Sequence, residues 1–440
     1  MRRSAPRAAT LALAAASVLA LHGCTERLEG GRACPILCPD QNLELRDTVV
    51  AAVVLDTTLG SFPPIGDEPQ LLLTSRGDTL ETRIIIRYDT LPTTFRPPNS
   101  PTDTPIETVT DAKLAIRLHF PTPHPDRTVT VEAYDVDTAV TDGADTLAAT
   151  MLPLFRPDRF LGALTFKPTD LTTTTDSLAQ IPIDDAYLFA KIQAKARLRI
   201  GLLVRAAESA ELVFQGVGGL RPQQLSFKVS ADDAVPRRST GPYSATPSER
   251  FIADALSDFV IVARKRASDT PAEVLAIGGV PGRRGYLRFD LPRGIVDSTS
   301  VVRATLLLTQ YPNRLAAHGP DSVSLYPQAV AASERVTDLT QAAGLLAPIF
   351  APSLRPIFRL DSLRTAPDDS GAVTIEVVGL LNVWRQIEAQ QTTRALVLRI
   401  PPGVEGVGPD ELYFYSMEAA PELRPRLRIV YVPRLGIGLP

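Results

Sequence analysis

Much of this chain is written twice, and a duplication limits the fold to units that can each bury the same apolar pattern. Arg87-Tyr88-Asp89 returns as Arg288-Phe289-Asp290, and Ala112, Leu114 and Ile116 return as Ala304, Leu306 and Leu308. Pro153-Leu154-Phe155 with Pro157 returns as Pro348-Ile349-Phe350 with Pro352, and Leu202 to Arg205 return as Leu396 to Arg399. Glu211-Leu212 with Phe214 returns as Glu411-Leu412 with Phe414, and Leu220-Arg221-Pro222 as Leu423-Arg424-Pro425. The order is kept throughout, at an offset of about 200 residues that drifts as loop insertions would make it drift.

The repeated unit reads as β. The chain carries 39 prolines and 27 glycines, scattered between short apolar runs, and an interior proline costs a helix about 3 kcal/mol. From Ala112 to Phe120, apolar Ala112, Leu114, Ile116, Leu118 and Phe120 alternate with Asp111, Lys113, Arg117 and His119, the mark of a half-buried strand. Further strands are expected at Thr48–Leu55, Arg83–Tyr88, Thr128–Tyr134, Leu198–Val204, Leu225–Val229, Val260–Ala263, Tyr286–Asp290, Ser322–Tyr326, Arg394–Ile400, Leu412–Tyr415 and Arg426–Val432. One short helix per half falls at about Asp184–Ile192 and Gly379–Ile387. The expected fold class is all-β: two tandem jelly-roll-like β-sandwich domains, each with one short helix, after a signal peptide. The expected units are 1–23 signal peptide, 24–42 anchor segment, 43–230 first sandwich, 231–249 linker and 250–432 second sandwich. The linker holds Asp232-Asp233, prolines and small polar residues without an apolar period.

The N-terminal segment has the layout of an export signal. Arg2, Arg3 and Arg7 precede an apolar run from Ala8 to Leu21, too short for a bilayer core that needs about 20 residues. Leu21-His22-Gly23-Cys24 resembles a bacterial lipobox, which implies lipidation of Cys24; the alternative is an ordinary signal peptide. Thr25 is not the aspartate that often retains such lipoproteins at the inner membrane, so the expectation is an outer-membrane protein anchored by lipid, periplasmic or surface-exposed. Of the three cysteines, Cys34 and Cys38 then remain as a candidate disulfide pair in an oxidising compartment.

Gly285-Tyr286-Leu287-Arg288-Phe289-Asp290-Leu291, the strand Val302–Leu308, Phe414-Tyr415-Ser416-Met417-Glu418 and Pro425-Arg426-Leu427-Arg428-Ile429-Val430-Tyr431 together resemble the DNRLRE-type domain of secreted and cell-surface bacterial proteins. The resemblance covers about Ser257–Val432 and reaches the first half through the duplication. It implies a β-sandwich jelly roll in the cell envelope, in a family partly grouped with carbohydrate-binding modules.

Chemistry is sparse. No Gly-x-Ser-x-Gly elbow, His-Glu-x-x-His helix or phosphate loop is present, so no catalytic residue, metal ligand or cofactor is assigned. Asp135, Asp137, Asp142 and Asp145 raise calcium, which takes six to eight oxygens, but Ala139 and Val140 break the EF-hand pattern and a solvated turn is expected. In the repeated Arg-aromatic-Asp, the aromatic should face the core while its charged neighbours pair across strands. Trp384 is read as core rather than as a sugar platform. A net charge of −3 lacks the basic footprint of nucleic-acid binding. Two functions remain: a structural or interaction scaffold that docks an envelope protein, or a polysaccharide-binding lipoprotein. Aromatics are 6% of the chain and fall mostly on core positions, which favours the scaffold. Arg355, Arg359 and Arg364 form the candidate ligand-binding loop, since arginine pairs bidentately with carboxylates.

Overall fold

The computed structural model describes residues 45–60, 69–119, 126–138, 147–171, 178–245, 256–265, 270–296, 299–312, 322–323, 325–330, 363–364, 371–387, 394–400, 405–406 and 411–433. In chain order the strands are β1 (Arg46–Val50), β2 (Val53–Leu59), β3 (Gln70–Arg76), β4 (Leu80–Tyr88), the short pair β5 (Thr94–Phe95) and β6 (Thr104–Pro105), β7 (Thr110–Arg117) and β8 (Val129–Asp135). Next come β9 (Phe160–Phe166), β10 (Leu178–Pro182), β11 (Leu198–Arg205), β12 (Ala210–Gln215), β13 (Gln224–Lys228), β14 (Arg238–Thr240) and β15 (Asp258–Lys265). The remainder are β16 (Val274–Gly278), β17 (Arg284–Phe289), β18 (Thr299–Thr309), β19 (Ser322–Val323), β20 (Tyr326–Val330), β21 (Leu363–Arg364), β22 (Ala372–Glu376), β23 (Ala395–Arg399), β24 (Glu411–Tyr415) and β25 (Arg426–Pro433).

These strands build two sandwiches of the same design. In the first, β15-β4-β11-β8-β9 forms one sheet and β14-β13-β7-β10 the other, with β3 and β12 paired alongside. In the second, the sheets are β2-β17-β23-β20 and β1-β25-β18-β22, with β16 and β24 paired alongside. All of these pairings are antiparallel, and each sandwich encloses one apolar core. The alternation read in β7 is realised: Ala112, Leu114, Ile116 and Leu118 are buried, as are Ala304, Leu306 and Leu308 of β18.

The paired register tests the duplication residue by residue. Isolated bridges link Leu118 to Phe214 and Gln310 to Phe414, so the two phenylalanines occupy one structural position. Leu114 faces Leu225 and Ile181; Leu306 faces Leu427 and Ile375. One match moves. Arg87 faces Arg199, whereas Arg288 faces Ala395, which makes Leu202 equivalent to Leu398 and not to Leu396. A slip of two residues keeps every side chain on its face, which is why the sequence match there looked sound.

The helices form at Asp185–Gln193 and Val378–Ile387, close to the expected spans. Asp184 caps the first by accepting the Tyr187 N–H at 2.7 Å. Trp384 is core: it is buried against Phe289, ring centroids 5.3 Å apart, and its indole N–H donates to the Ala395 carbonyl.

Sheet membership and chain order part company at the edges. The expected strand Thr48–Leu55 is two strands, because the chain steps from one sheet to the other at Ala51-Ala52. Both strands belong to the second sandwich: β1 pairs with β25 and β2 with β17. Their structural counterparts are β14, which lies within 231–249, and β15, which stands near the head of the second half yet pairs with β4 of the first sandwich. The first sandwich is therefore continuous from β3 to β15. The second runs from β16 to β25 and is completed by the strands that open the chain. An equivalent carboxylate marks the shared plan. Asp258 sits opposite Ile86 and accepts the Val217 N–H at 2.7 Å; Asp56 sits opposite Leu287 and accepts the Met417 N–H at 2.8 Å.

Candidate functional site

Among the described residues, a dense group of charged side chains lies where β8 ends beside the helix Asp185–Gln193. Tyr187 and Lys191 are four residues apart and so share a helix face, which meets the Asp135-Val136-Asp137 segment. The Lys191 ammonium is 3.0 Å from Asp135 Oδ2 and 3.6 Å from Asp137 Oδ2, while Arg197 Nε stands 2.8 Å from Asp137 Oδ1. The Tyr187 hydroxyl donates to Asp135 Oδ2. Arg159 donates to the carbonyls of Asp135 and Asp137 at 3.1 and 2.8 Å. Burial, with the Asp135 carboxylate beside it, pushes the Tyr187 phenol well above its ordinary range. At Asp135 this corrects the expected solvated turn: it is 2% exposed, and the ammonium on its carboxylate comes from Lys191, more than 50 positions later in the chain. Two carboxylates facing an ammonium and a guanidinium are already neutralised, which is a poor start for a calcium shell. Asp142 and Asp145 lie outside the described residues. Among the described residues, no group of three or more His, Cys, Asp or Glu side chains could hold a metal ion.

Several other buried charges are matched in the same way. Tyr88 and Phe289 face their cores, as the repeated motif requires. Asp89 receives Arg199 Nε at 3.2 Å and the Ala245 N–H at 2.9 Å, and Arg87 lies fully buried over the Phe259 ring. In the second sandwich Glu405 takes a two-pronged bond from Arg284, at 2.7 and 2.8 Å, and a further one from Arg399, whose guanidinium burial pushes below its usual range. Between the sandwiches, Lys265 on β15 reaches Glu411 Oε1 on β24 at 2.8 Å, and Arg283 approaches Glu411 Oε2 at 3.3 Å. Such pairs position strands; they offer a substrate no spare acid or base.

One surface has a different character. On the outer face of the first sandwich, Tyr134 of β8 pairs with Phe160 of β9, and their rings meet edge to face at 5.6 Å. Phe155 covers the neighbouring Gly201, where a Cβ would fall 2.5 Å from the phenyl ring. Phe160 remains 47% exposed. The polar end of this face carries Glu132, which accepts from Arg205 Nε at 2.8 Å and from the Tyr134 hydroxyl at 2.7 Å, and the bonded hydroxyls of Thr130 and Thr165. Among the described residues the other half-exposed aromatic is Tyr243, which bridges to Tyr88. β4, β11 and β8 separate it from Phe160, so the two rings do not line one groove.

Cys24, Cys34, Cys38, Arg355 and Arg359 lie outside the described residues. Arg364 is placed only as a backbone position in β21, opposite Ser322. The proline-containing stretch Phe95–Pro105 is a short paired turn closed by Arg96 and Asp103 at 2.8 Å. His119, just past β7, lies 3.4 Å from the Gln70 side chain. The sequence offered no signal for the Phe160 surface: Phe160-Leu161-Gly162-Ala163-Leu164 lacks the alternation of a half-buried strand. Glycine at position 201 becomes informative only once its neighbours are known. With fold and site described, the chain belongs to the class of all-β proteins built from two jelly-roll-like sandwiches. No protein-family model matches it, and no curated protein matches it.

Proposed function

We propose that this chain is a non-catalytic outer-membrane lipoprotein carrying DNRLRE-type modules, anchored through Cys24, and that its tandem sandwiches serve as a scaffold for another envelope protein. The observation that carries this reading is the disposition of buried charge: Asp89, Asp135, Asp137, Glu405 and Glu411 each face an arginine or a lysine. The lipobox-like segment supports the anchor, and the Cys34–Cys38 pair would close a small loop beside it. Two measurements test the reading together. Cys24→Ser should move the protein from the outer-membrane to the soluble fraction, with the wild type carrying acyl mass. Cross-linking in intact cells should yield a discrete adduct with an envelope protein. A wild type without acyl mass, still sedimenting with membrane as Cys24→Ser, sinks the anchor; absence of any adduct sinks the scaffold.

A polysaccharide-binding role is the second reading, and the surface around Phe160 favours it. A half-exposed ring can stack on a sugar face while Arg205 and the threonine hydroxyls meet its oxygens. The soluble Cys24→Ser protein tested against neutral and acidic polysaccharides would show retention that falls on Phe160→Ala. Retention that falls instead on joint substitution of Arg355, Arg359 and Arg364 would move the site to that loop.

A further inference from the structure

We propose that residues 46–59 are a docking segment, and that the free edges of β25 and β17 in the second sandwich are its binding site. The segment is joined by peptide bonds to the first sandwich, through 60–69, yet the contacts that seat it go to the second. Five residues of β1 pair with β25, from Arg46 opposite Tyr431 to Val50 opposite Leu427, and six positions of β17 pair with β2. Ala52 and Val53 are each 2% exposed and sit in the second core. Four polar contacts key the segment in place. Asp47 pairs with Arg428, the Asp290 N–H donates to the Ala52 carbonyl at 2.8 Å, Asp56 accepts the Met417 N–H, and Thr58 Oγ1 accepts the Ala276 N–H at 2.9 Å.

This is recognition by strand addition, in which main-chain bonds supply affinity and alternate side chains supply register. The comparison between sandwiches shows that the site needs an occupant. In the first sandwich the same two edges are covered by β14 and β15, which follow β13 in the chain; in the second, β1 and β2 take those places. The occupant is accordingly this chain's own opening segment. Whatever the N-terminus carries is tied to the second sandwich, and the chain enters the first through 60–69 and leaves it through 266–273. For an anchored chain, which rests on the function proposed above, load on the anchor would reach the second sandwich first.

The test uses the full Cys24→Ser chain with a protease site placed between Leu59 and Gln70, cut after folding and run through gel filtration. It needs no acylation, so a failed anchor and a failed docking segment give different results. The N-terminal fragment should co-elute with the body without loss, and should leave when urea unfolds the second sandwich. Val53→Asp, at the buried face, should release it after the cut, whereas Val54→Asp, at the 46% exposed neighbouring position, should not. Hydrogen exchange on the cut wild type should keep protection across β17 and β25. A fragment that separates from cut wild type under native conditions, or that leaves with β17 and β25 still protected, overturns the proposal. Co-elution at twice the body's mass would replace the cis occupant with a second copy and overturn it equally.

Discussion

Replacing Asp56 by asparagine should stabilise the protein at neutral pH. Burial, outweighing the Met417 N–H bond and aided by the Glu418 charge, pushes the Asp56 carboxyl from 3.8 up to about 6. The folded chain thus holds this proton more tightly than the unfolded chain. Its contribution is fully present below about pH 4, is lost as pH rises to about 6, and stays lost above. A rise from 3.8 to about 6 amounts to ~3 kcal/mol for a carboxyl sealed from water. Asp56 is only half-buried, and screening reduces this to ~1–2 kcal/mol. Asparagine keeps an oxygen for the Met417 N–H and removes the charge. The expected gain is about 2–6 °C in Tm at pH ~7.5, shrinking to nothing near pH ~4. Thermal melts of both proteins by far-UV circular dichroism across that range measure it. A variant that melts below the wild type at pH ~7.5, or a difference that ignores pH, would refute the reasoning.

Trp384→Ala should cost ~3–5 kcal/mol in urea unfolding followed by circular dichroism, because the indole fills the core beside Phe289; a loss under ~1 kcal/mol would mean the site collapses freely. Arg199→Met should cost ~3–5 kcal/mol by leaving Asp89 buried without its guanidinium, and adding Asp89→Asn should recover part of that loss. Gly201→Ala should cost ~1–3 kcal/mol, since the new methyl would lie 2.5 Å from Phe155 Cζ and 2.6 Å from Val136 Cγ1. Phe155→Leu in the same background should relieve it, and an unrelieved cost would place the strain elsewhere.

What was legible in the sequence is what is local. The alternation in β7 and β18, the two helices and the core aromatics Tyr88, Phe289 and Trp384 all follow from spacing that a few neighbours decide. The duplication was legible too, since Phe214 and Phe414 take one structural position, although Glu211 pairs with Arg76 and Glu411 with Lys265 and Arg283. The slip at Leu202 shows where this fails: strand periodicity is two, so a match displaced by two residues carries the same pattern. Partner choice was not legible. Nothing in Val49-Val50 or Val53-Val54-Leu55 says which sheet the strand will edge, because that is decided by the vacancy beside β25 and β17. Asp135 failed for the same reason, its burial being the work of Tyr187 and Lys191. Of the candidate site, Cys24, Cys34, Cys38, Arg355 and Arg359 lie outside the described residues, and the Phe160 surface needs three strands in register before it exists.

The pairing of β1 with β25 also imposes a timetable. Asp47 and Arg428, which bond across that pair, are 381 residues apart in the chain. A ribosome makes β1 and β2 well before their partners, β17 for β2 and β25 for β1. Continuous from β3 to β15, the first sandwich has all its strands early; the second must wait for its final one. Until its own partner emerges, each of these two strands, rich in valine and leucine, has no sheet to join. Closing so long a loop carries an entropic cost that precedes any reward from the contacts. The opening segment is therefore the part of this protein most in need of shelter while the rest is being made.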